Sequence, residues 1–342
     1  MTARPRRERA ARGRPRGTSS ASRNAPPSWQ TALCALVLLV CALVQLPGDV
    51  PRGPMPTASR TAAGVFTGSG TEGIGKLAAV EKWRGRGLLR AGHTYLPGDT
   101  WSGIEGPPAL LAPWSRWRRH RADRIFVLNV PMLARNEAGL PDDEVRGLLG
   151  QGARGAFDGH FRTLAERLVS LQLADSIVVL GWEMNGTTYT HRCGPDPAAW
   201  RAYWRRAVTA MRSVAGQRFR FDFAPNRGRD AVPWTACYPG DAFVDILGMD
   251  SYDQPAGMSF PDQVEEPYGL RAQVDFAARH GKPVSYPEWG LFRNGDDARY
   301  VRGMTAWFSR YRPVYQTLTD YCPHGLWECA GHPDAARAYR AH

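Results

Sequence analysis

The sequence predicts one (β/α)8 TIM barrel preceded by an N-terminal transmembrane or signal segment. Three observations carry this. Short apolar stretches alternate with amphipathic ones across residues 61–342. The apolar stretches are β-branched or aromatic and nearly continuous, as parallel strands buried on both faces are. The span also matches the roughly 250 residues that such a barrel takes. A doubly wound open sheet is the alternative arrangement of the same alternation.

The strands expected are 64–67, 88–93, 125–130, 177–182, 219–224, 244–249, 283–287 and one within 314–321. Helices are clearest at 160–173, 197–214, 267–280, 296–310 and 333–341, the first four with apolar residues spaced by three and four. No repeat of 20–50 residues is visible.

Charge needs dissection before it suggests a partner. The net charge is +12, and residues 1–30 hold eight Arg against the single acid Glu8, so seven of those charges belong to a tail. The long body carries little excess, and this excludes a nucleic-acid groove as the leading function. Apolar residues make up 43 % and charged residues 22 %, which excludes a wholly disordered chain.

Residues 31–46 read TALCALVLLVCALVQL without a charge. The Arg-rich side should stay cytoplasmic, leaving the rest outside. The organisation expected is a basic cytoplasmic tail at 1–30, a signal-anchor or signal peptide at 31–46, a Pro/Gly-rich linker at 47–60 and a catalytic barrel at 61–342. The location is extracytoplasmic: membrane-anchored by a single pass, or secreted if the segment is cleaved. The body should be a monomer.

Export changes how the cysteines read. Cys193, Cys237, Cys322 and Cys329 fall in the exported part, an even number that allows three pairings. Loop position favours Cys193–Cys237, on neighbouring loops after two strands, and Cys322–Cys329, clipping one loop. A structural zinc is the alternative, although no C-x-x-C spacing occurs. No metal and no cofactor are expected.

Two glycine patterns resemble phosphate loops. Gly68-Ser69-Gly70-Thr71-Glu72-Gly73 follows the first strand, but no acid stands about twenty residues on. Gly70 to Lys76 lacks a hydroxyl residue after the lysine, where Leu77 stands. Both read better as a Gly-rich turn between the first strand and the first helix.

The informative features are two carboxylates at strand ends. Ile177-Val178-Val179-Leu180-Gly181-Trp182 runs into Glu183, and Pro283-Val284-Ser285-Tyr286-Pro287 runs into Glu288. Barrel active sites lie at the C-terminal ends of the strands. The fourth and seventh strands face each other across that mouth. Paired carboxylates are what glycosidic cleavage needs, one to protonate the leaving oxygen and one to attack or activate water. Glu328 is a rival carboxylate, but it lies between two cysteines in what reads as a constrained loop.

The stretches GWEMNG, FAPNRG, YPGDAFVDILGMDSYD and KPVSYPEWG together resemble glycoside hydrolase family 26, of the β-mannanase type, within a clan of retaining (β/α)8 glycosidases. The resemblance spans roughly residues 64–342. It implies that Glu183 is the acid/base, that Glu288 is the nucleophile, and that Tyr252 contacts the nucleophile. The implied partner is a polysaccharide or oligosaccharide. Two departures stand out. Trp182 replaces the family's His before the acid/base, and Thr187 and Thr188 precede Tyr189 where a Trp is usual.

Further substrate-binding candidates are Trp182, Asn185, Tyr189, Asn226, Asp250, Tyr252, Trp289 and His93. Amides and carboxylates can bond sugar hydroxyls, and aromatic rings can stack on pyranose faces. A catalytically silent, glycan-binding barrel is the alternative function. A nucleotide enzyme built on the early glycines is disfavoured by export.

Overall fold

The computed structural model describes residues 61–341, residue 86 excepted. The tail, apolar run and linker expected at 1–60 therefore lie outside the described residues. Among those described, no helix is long and apolar enough to cross a membrane.

The chain runs β1 (Ala62–Phe66), α1 (Gly70–Arg84), β2 (Ala91–Tyr95), α2 (Trp101–Ile104), α3 (Pro108–Arg119), β3 (Ile125–Val130), α4 (Asp142–Ala153) and α5 (Asp158–Ser170). It continues through β4 (Ile177–Leu180), α6 (Pro197–Arg212), β5 (Arg220–Phe223), a 3-10 turn (Trp234–Cys237), β6 (Ile246–Leu247) and β7 (Ser251–Tyr252). Last come α7 (Phe260–Glu265), α8 (Leu270–Arg279), β8 (Tyr286–Gly290), α9 (Ala298–Tyr311), β9 (Tyr315–Thr319) and α10 (Pro333–Ala341).

The nine strands form one sheet in the order β6-β5-β4-β3-β2-β1-β9-β8-β7. Every strand pair is parallel. The two end strands, β6 and β7, are consecutive halves of one strand. Bridges at Asn226–Asp250 and Leu247–Val284 join its flanks to both neighbours, curling the sheet into a TIM-like barrel. Gly248 sits at the break because a Cβ there would stand 2.6 Å from Asp222 Oδ1 and 2.9 Å from the Ala224 Cβ. Side chains alternate across each strand. One set, including Val127, Ile177, Val179, Ala224, Ile246 and Tyr315, fills the barrel interior. The other packs the larger layer between sheet and helices, with Trp114, Trp200, Trp204 and Trp234 fully buried. Each such ring contributes about 1.5–3 kcal/mol or more through burial.

The expected helices recur within three residues of their expected ends. Two strands start three residues later than the sequence suggested, at Ala91 and Tyr286. In the first case Leu88 is 57 % exposed, in the turn that follows the left-handed Gly85 that ends α1. In the second, the register shifts between Tyr286 and Trp289, which places Glu288 inside the strand rather than after it. The early glycines form no phosphate loop. Gly70, Gly73 and Gly75 belong to α1, and Gly73 packs so tightly on the Gly68 carbonyl that no Cβ would fit. Both expected disulfides are present, Cys193–Cys237 and Cys322–Cys329.

Candidate active site

Glu288 lies on β8 with its side chain turned into the barrel, 7 % exposed. Its partners come from other inward-facing strand positions. Tyr252 at the end of β7 donates to Oε2 at 2.6 Å, and Asn129 on β3 donates to Oε1 at 3.3 Å. Tyr95 on β2 adds a third hydrogen bond. The Tyr252 hydroxyl also meets the Thr319 hydroxyl at 2.8 Å. Burial raises the Glu288 pKa, and the three donors pull it back by stabilising the anion. Burial and the nearby anion raise the Tyr252 phenol well above its usual value, so it stays a donor.

Asn129 is itself aimed. Its Oδ1 stands 2.8 Å from His93 Nε2. Burial lowers His93 to about 4, so the imidazole is neutral and its single N–H can face Oδ1, leaving the Asn129 amide to donate to Glu288. A chain of three strands, β2 to β3 to β8, thus orients one carboxylate.

Glu183 is held differently. It follows β4 in a turn where Gly181 has φ +57° and Glu183 itself φ +49°. A left-handed non-glycine residue is strained and persists only where its surroundings hold it. Here the Glu183 N–H donates to the Ala224 carbonyl at 2.8 Å and its own carbonyl accepts from Gly186 at 3.0 Å. Asn185 clamps the same turn to the loop after β5. Its amide donates to the Asn226 carbonyl at 2.9 Å, and its Oδ1 accepts from the Asn226 N–H at 2.9 Å. The Cys193–Cys237 bridge joins these two loops farther out. Burial, then the negative charges of Glu288 and Asp230, push Glu183 up to about 8.

The other candidates divide into those at the cleft and those beneath it. A cleft of about 760 Å³ is lined by Glu183, Tyr189, Asn226, Tyr252, Glu288 and Tyr321, among others. A second of about 460 Å³, on the β1–β3 side, is lined by Phe66, Tyr95, Trp182, Tyr189, Glu288 and Tyr321. The two share Tyr189, Glu288 and Tyr321, so open space extends to both sides of Glu288. Trp182 and Tyr189 pack with ring centroids 4.9 Å apart, and Trp182 meets Tyr95 at 5.6 Å.

Four candidates are not placed to touch a sugar. Trp289 faces outward from β8, fully buried against Phe308 and Tyr339, with its indole N–H on Gln316. It alternates with Glu288, so the residue beside an inward carboxylate must point into the helical layer. His93 is fully buried beneath Asn129, and Asn185 is fully buried with its side chain engaged by the next loop. Asp250 is fully buried below Glu288, whose N–H donates to its Oδ1 at 3.1 Å. Burial, followed by Glu288 and Glu183, raises the Asp250 pKa well above the usual carboxylate range. Glu328 pairs with Lys76 at 2.8 Å within the disulfide loop.

Tyr95, Asn129, Thr319 and Tyr321 escaped the sequence reading. Asn129 was detectable as the one polar residue in the apolar run Ile125–Val130. Tyr95 shares a face with His93 two residues earlier, and ending that strand at His93 hid it.

Two buried carboxylates thus meet at the C-terminal mouth of a parallel barrel, a pairing of the kind glycosidic cleavage uses. The sequence profile of glycosyl hydrolase family 26 matches residues 161–271, which include Glu183, Asn226 and Tyr252. That match covers the segment that carries Glu183 and agrees with the sequence resemblance to this family. No curated protein sequence matches it. Among solved structures, it is similar to a Bacillus subtilis mannanase at 15 % identity, covering 82 % of this chain and 85 % of that one with TM-score 0.60. An endo-β-1,4-mannanase catalytic domain from Bacillus sp. JAMB-750 gives 16 % identity, coverage of 83 % and 85 %, and TM-score 0.62. A double mutant of a Cellulomonas fimi endo-β-1,4-mannanase gives 20 % identity, coverage of 82 % and 76 %, and TM-score 0.56. At these identities the likeness concerns the fold.

Proposed function

We propose that this chain is an exported hydrolase that cleaves a mannan-like β-linked polysaccharide internally, with retention of configuration. The observation that carries the reading is the unlike treatment of two carboxylates facing one cleft. Glu183, pushed up to about 8, holds a proton at neutral pH and gives it to the leaving glycosidic oxygen. Glu288, fixed by Tyr252, Asn129 and Tyr95, remains the anion and attacks the anomeric carbon. A covalent glycosyl-enzyme forms. Glu183, now ionised, then takes a proton from water, which releases the product with its configuration kept. This scheme requires carboxyl groups about 5–5.5 Å apart, the retaining separation.

Space on both sides of Glu288 supports internal cleavage, because sugars of one polymer can occupy both halves at once. Glu183 lines the larger half and not the smaller one, so the larger half takes the leaving portion. Mannan is the substrate named for the similar solved structures. Trp182 in place of the family's His gives this chain a different wall near the cleaved bond. The apolar run at 31–46 tethers the enzyme outside the cell.

The test is hydrolysis of a panel of mannans, mixed-linkage glucans and xylans, with the first-formed anomer followed by NMR. Oligosaccharides of retained configuration from a mannan are expected. An inverted product contradicts the mechanism. Glycan binding with no turnover replaces the enzyme with a silent binding barrel.

A further inference from the structure

Charge is segregated along the barrel axis. In a parallel barrel all helices run against the strands, so their last turns and the loops that follow form one end, the floor. The last turns there carry Lys82 and Arg84 on α1, Arg116, Arg118 and Arg119 on α3, Arg212 on α6, Arg279 on α8 and Arg310 on α9. Acids dominate the opposite end. Asp142, Asp143 and Glu144 open α4, and Asp99, Glu137, Asp230 and Glu266 line the cleft; Arg192, Arg135 and Arg227 pair with Asp142, Glu144 and Glu266, while Asp99, Glu137, Asp143 and Asp230 form no ion pair with an arginine or lysine among the described residues. The modest positive excess of the body is thus a basic floor set against an acidic mouth.

Helix dipoles favour cations in a last turn and account for part of this. They also favour the exposed Arg312, which caps α9, but they do not account for Arg218, exposed in a loop beyond α6. Several floor acids are already occupied: Asp123 by Arg90 and Arg121, Asp175 by Arg118, Asp245 by Arg212, and Asp241 by a contact with His280. Arg119, Arg218, Arg279, Arg310 and Arg312 are exposed and form no ion pair with a carboxylate among the described residues. Leu88, one of two large apolar side chains exposed among the described residues, projects from the loop that leads into β2 at this same end. β1 also begins at the floor.

We propose that the floor docks on an anionic phospholipid surface, holding the acidic mouth away from the membrane and open to polymer. Unpaired arginines meet lipid phosphates, and Leu88 enters the headgroup layer. The same phosphates repel the mouth, which leaves one orientation. The proposal rests on the reading of residues 31–46 as a tether, and the test separates the two.

The full chain is placed in nanodiscs of phosphatidylcholine, with or without phosphatidylglycerol, and followed by hydrogen exchange. Peptides around 87–90, 119–124, 213–220 and 310–314 should exchange several-fold more slowly in the anionic discs. The slowing should vanish at high salt. The combined charge reversals Arg119→Glu, Arg218→Glu and Arg312→Glu should abolish it while hydrolysis in detergent stays unchanged. Equal exchange in both lipids, or protection at the mouth, overturns the proposal. If the chain does not enter discs at all, the tether is refuted. Co-sedimentation with phosphatidylglycerol vesicles then decides the floor: salt-sensitive pelleting lost in the triple variant supports it, and no pelleting overturns it.

Discussion

Glu288 and Glu183 face one cleft but are built on unlike supports. Glu288 sits within a strand, and residues of β2, β3 and β7 hold its carboxylate. Glu183 sits in a turn, on a strained backbone, with Asn185 fixing the main chain around it. In the proposed roles, the nucleophile Glu288 must meet one atom along one line, so rigid framing by three strands suits it. An acid must first reach an oxygen and later a water. Burial raises both carboxylates; donors pull Glu288 back, whereas the negative charges of Glu288 and Asp230 raise Glu183 further.

The contrast can be broken most severely at Glu288. Glu288→Ala should abolish turnover of every substrate, a loss of about 10⁴-fold or more in kcat, because no covalent intermediate can form. Glu183→Ala should lose roughly 10²–10⁴-fold on polysaccharide yet keep much of its activity on dinitrophenyl glycosides, and azide should restore the second step. If both variants lose activity equally on all leaving groups, the two roles are not distinct.

Smaller effects sharpen it. Tyr252→Phe removes one charge-assisted bond and should reduce kcat by about 10–100-fold, with the acid limb of the pH profile moved upward as Glu288 becomes easier to protonate. The alkaline limb belongs to Glu183. Activity should fall as pH rises through about 8, where its proton is lost. Its raised pKa also means that the folded state holds a proton which the unfolded state has released above its ordinary value near 4.5. Stability from this group therefore declines as pH rises from there toward about 8. Glu183→Gln should accordingly raise Tm more at pH 8 than at pH 5, measured by calorimetry. The mildest expected change is at the rim. Removing Cys193–Cys237 by a double Cys→Ser substitution should lower stability by about 2–4 kcal/mol, read from denaturant midpoints, and loosen the turn that carries Glu183.

Much of this contrast was legible in the sequence, though unevenly. Apolar strands ending in Glu183 and Glu288 announced both carboxylates, and Tyr252 followed from the motif that contains it. Loop position was enough to pair the cysteines. The supporting shell was harder to read. Whether Trp289 faces a sugar or the helices depends on one register step, and the irregularity before it in β8 is invisible in composition. His93, Asn185 and Asp250 are polar residues at the right strand ends, but tertiary neighbours use up their side chains or bury them. Tyr95 was lost to a strand boundary misplaced by an apolar pair, Leu88-Leu89, of which one member points to solvent. The segregation of charge between floor and mouth needs the topology, since net charge averages it away.

The most direct test of unlike roles is covalent trapping. The enzyme is incubated with a 2-deoxy-2-fluoro β-mannosyl fluoride, digested with a protease and mapped by tandem mass spectrometry. A fluoro-sugar on Glu288, with Glu183 unmodified, is the result expected of a strand-held nucleophile beside a turn-held acid. A label on Glu183 would contradict it.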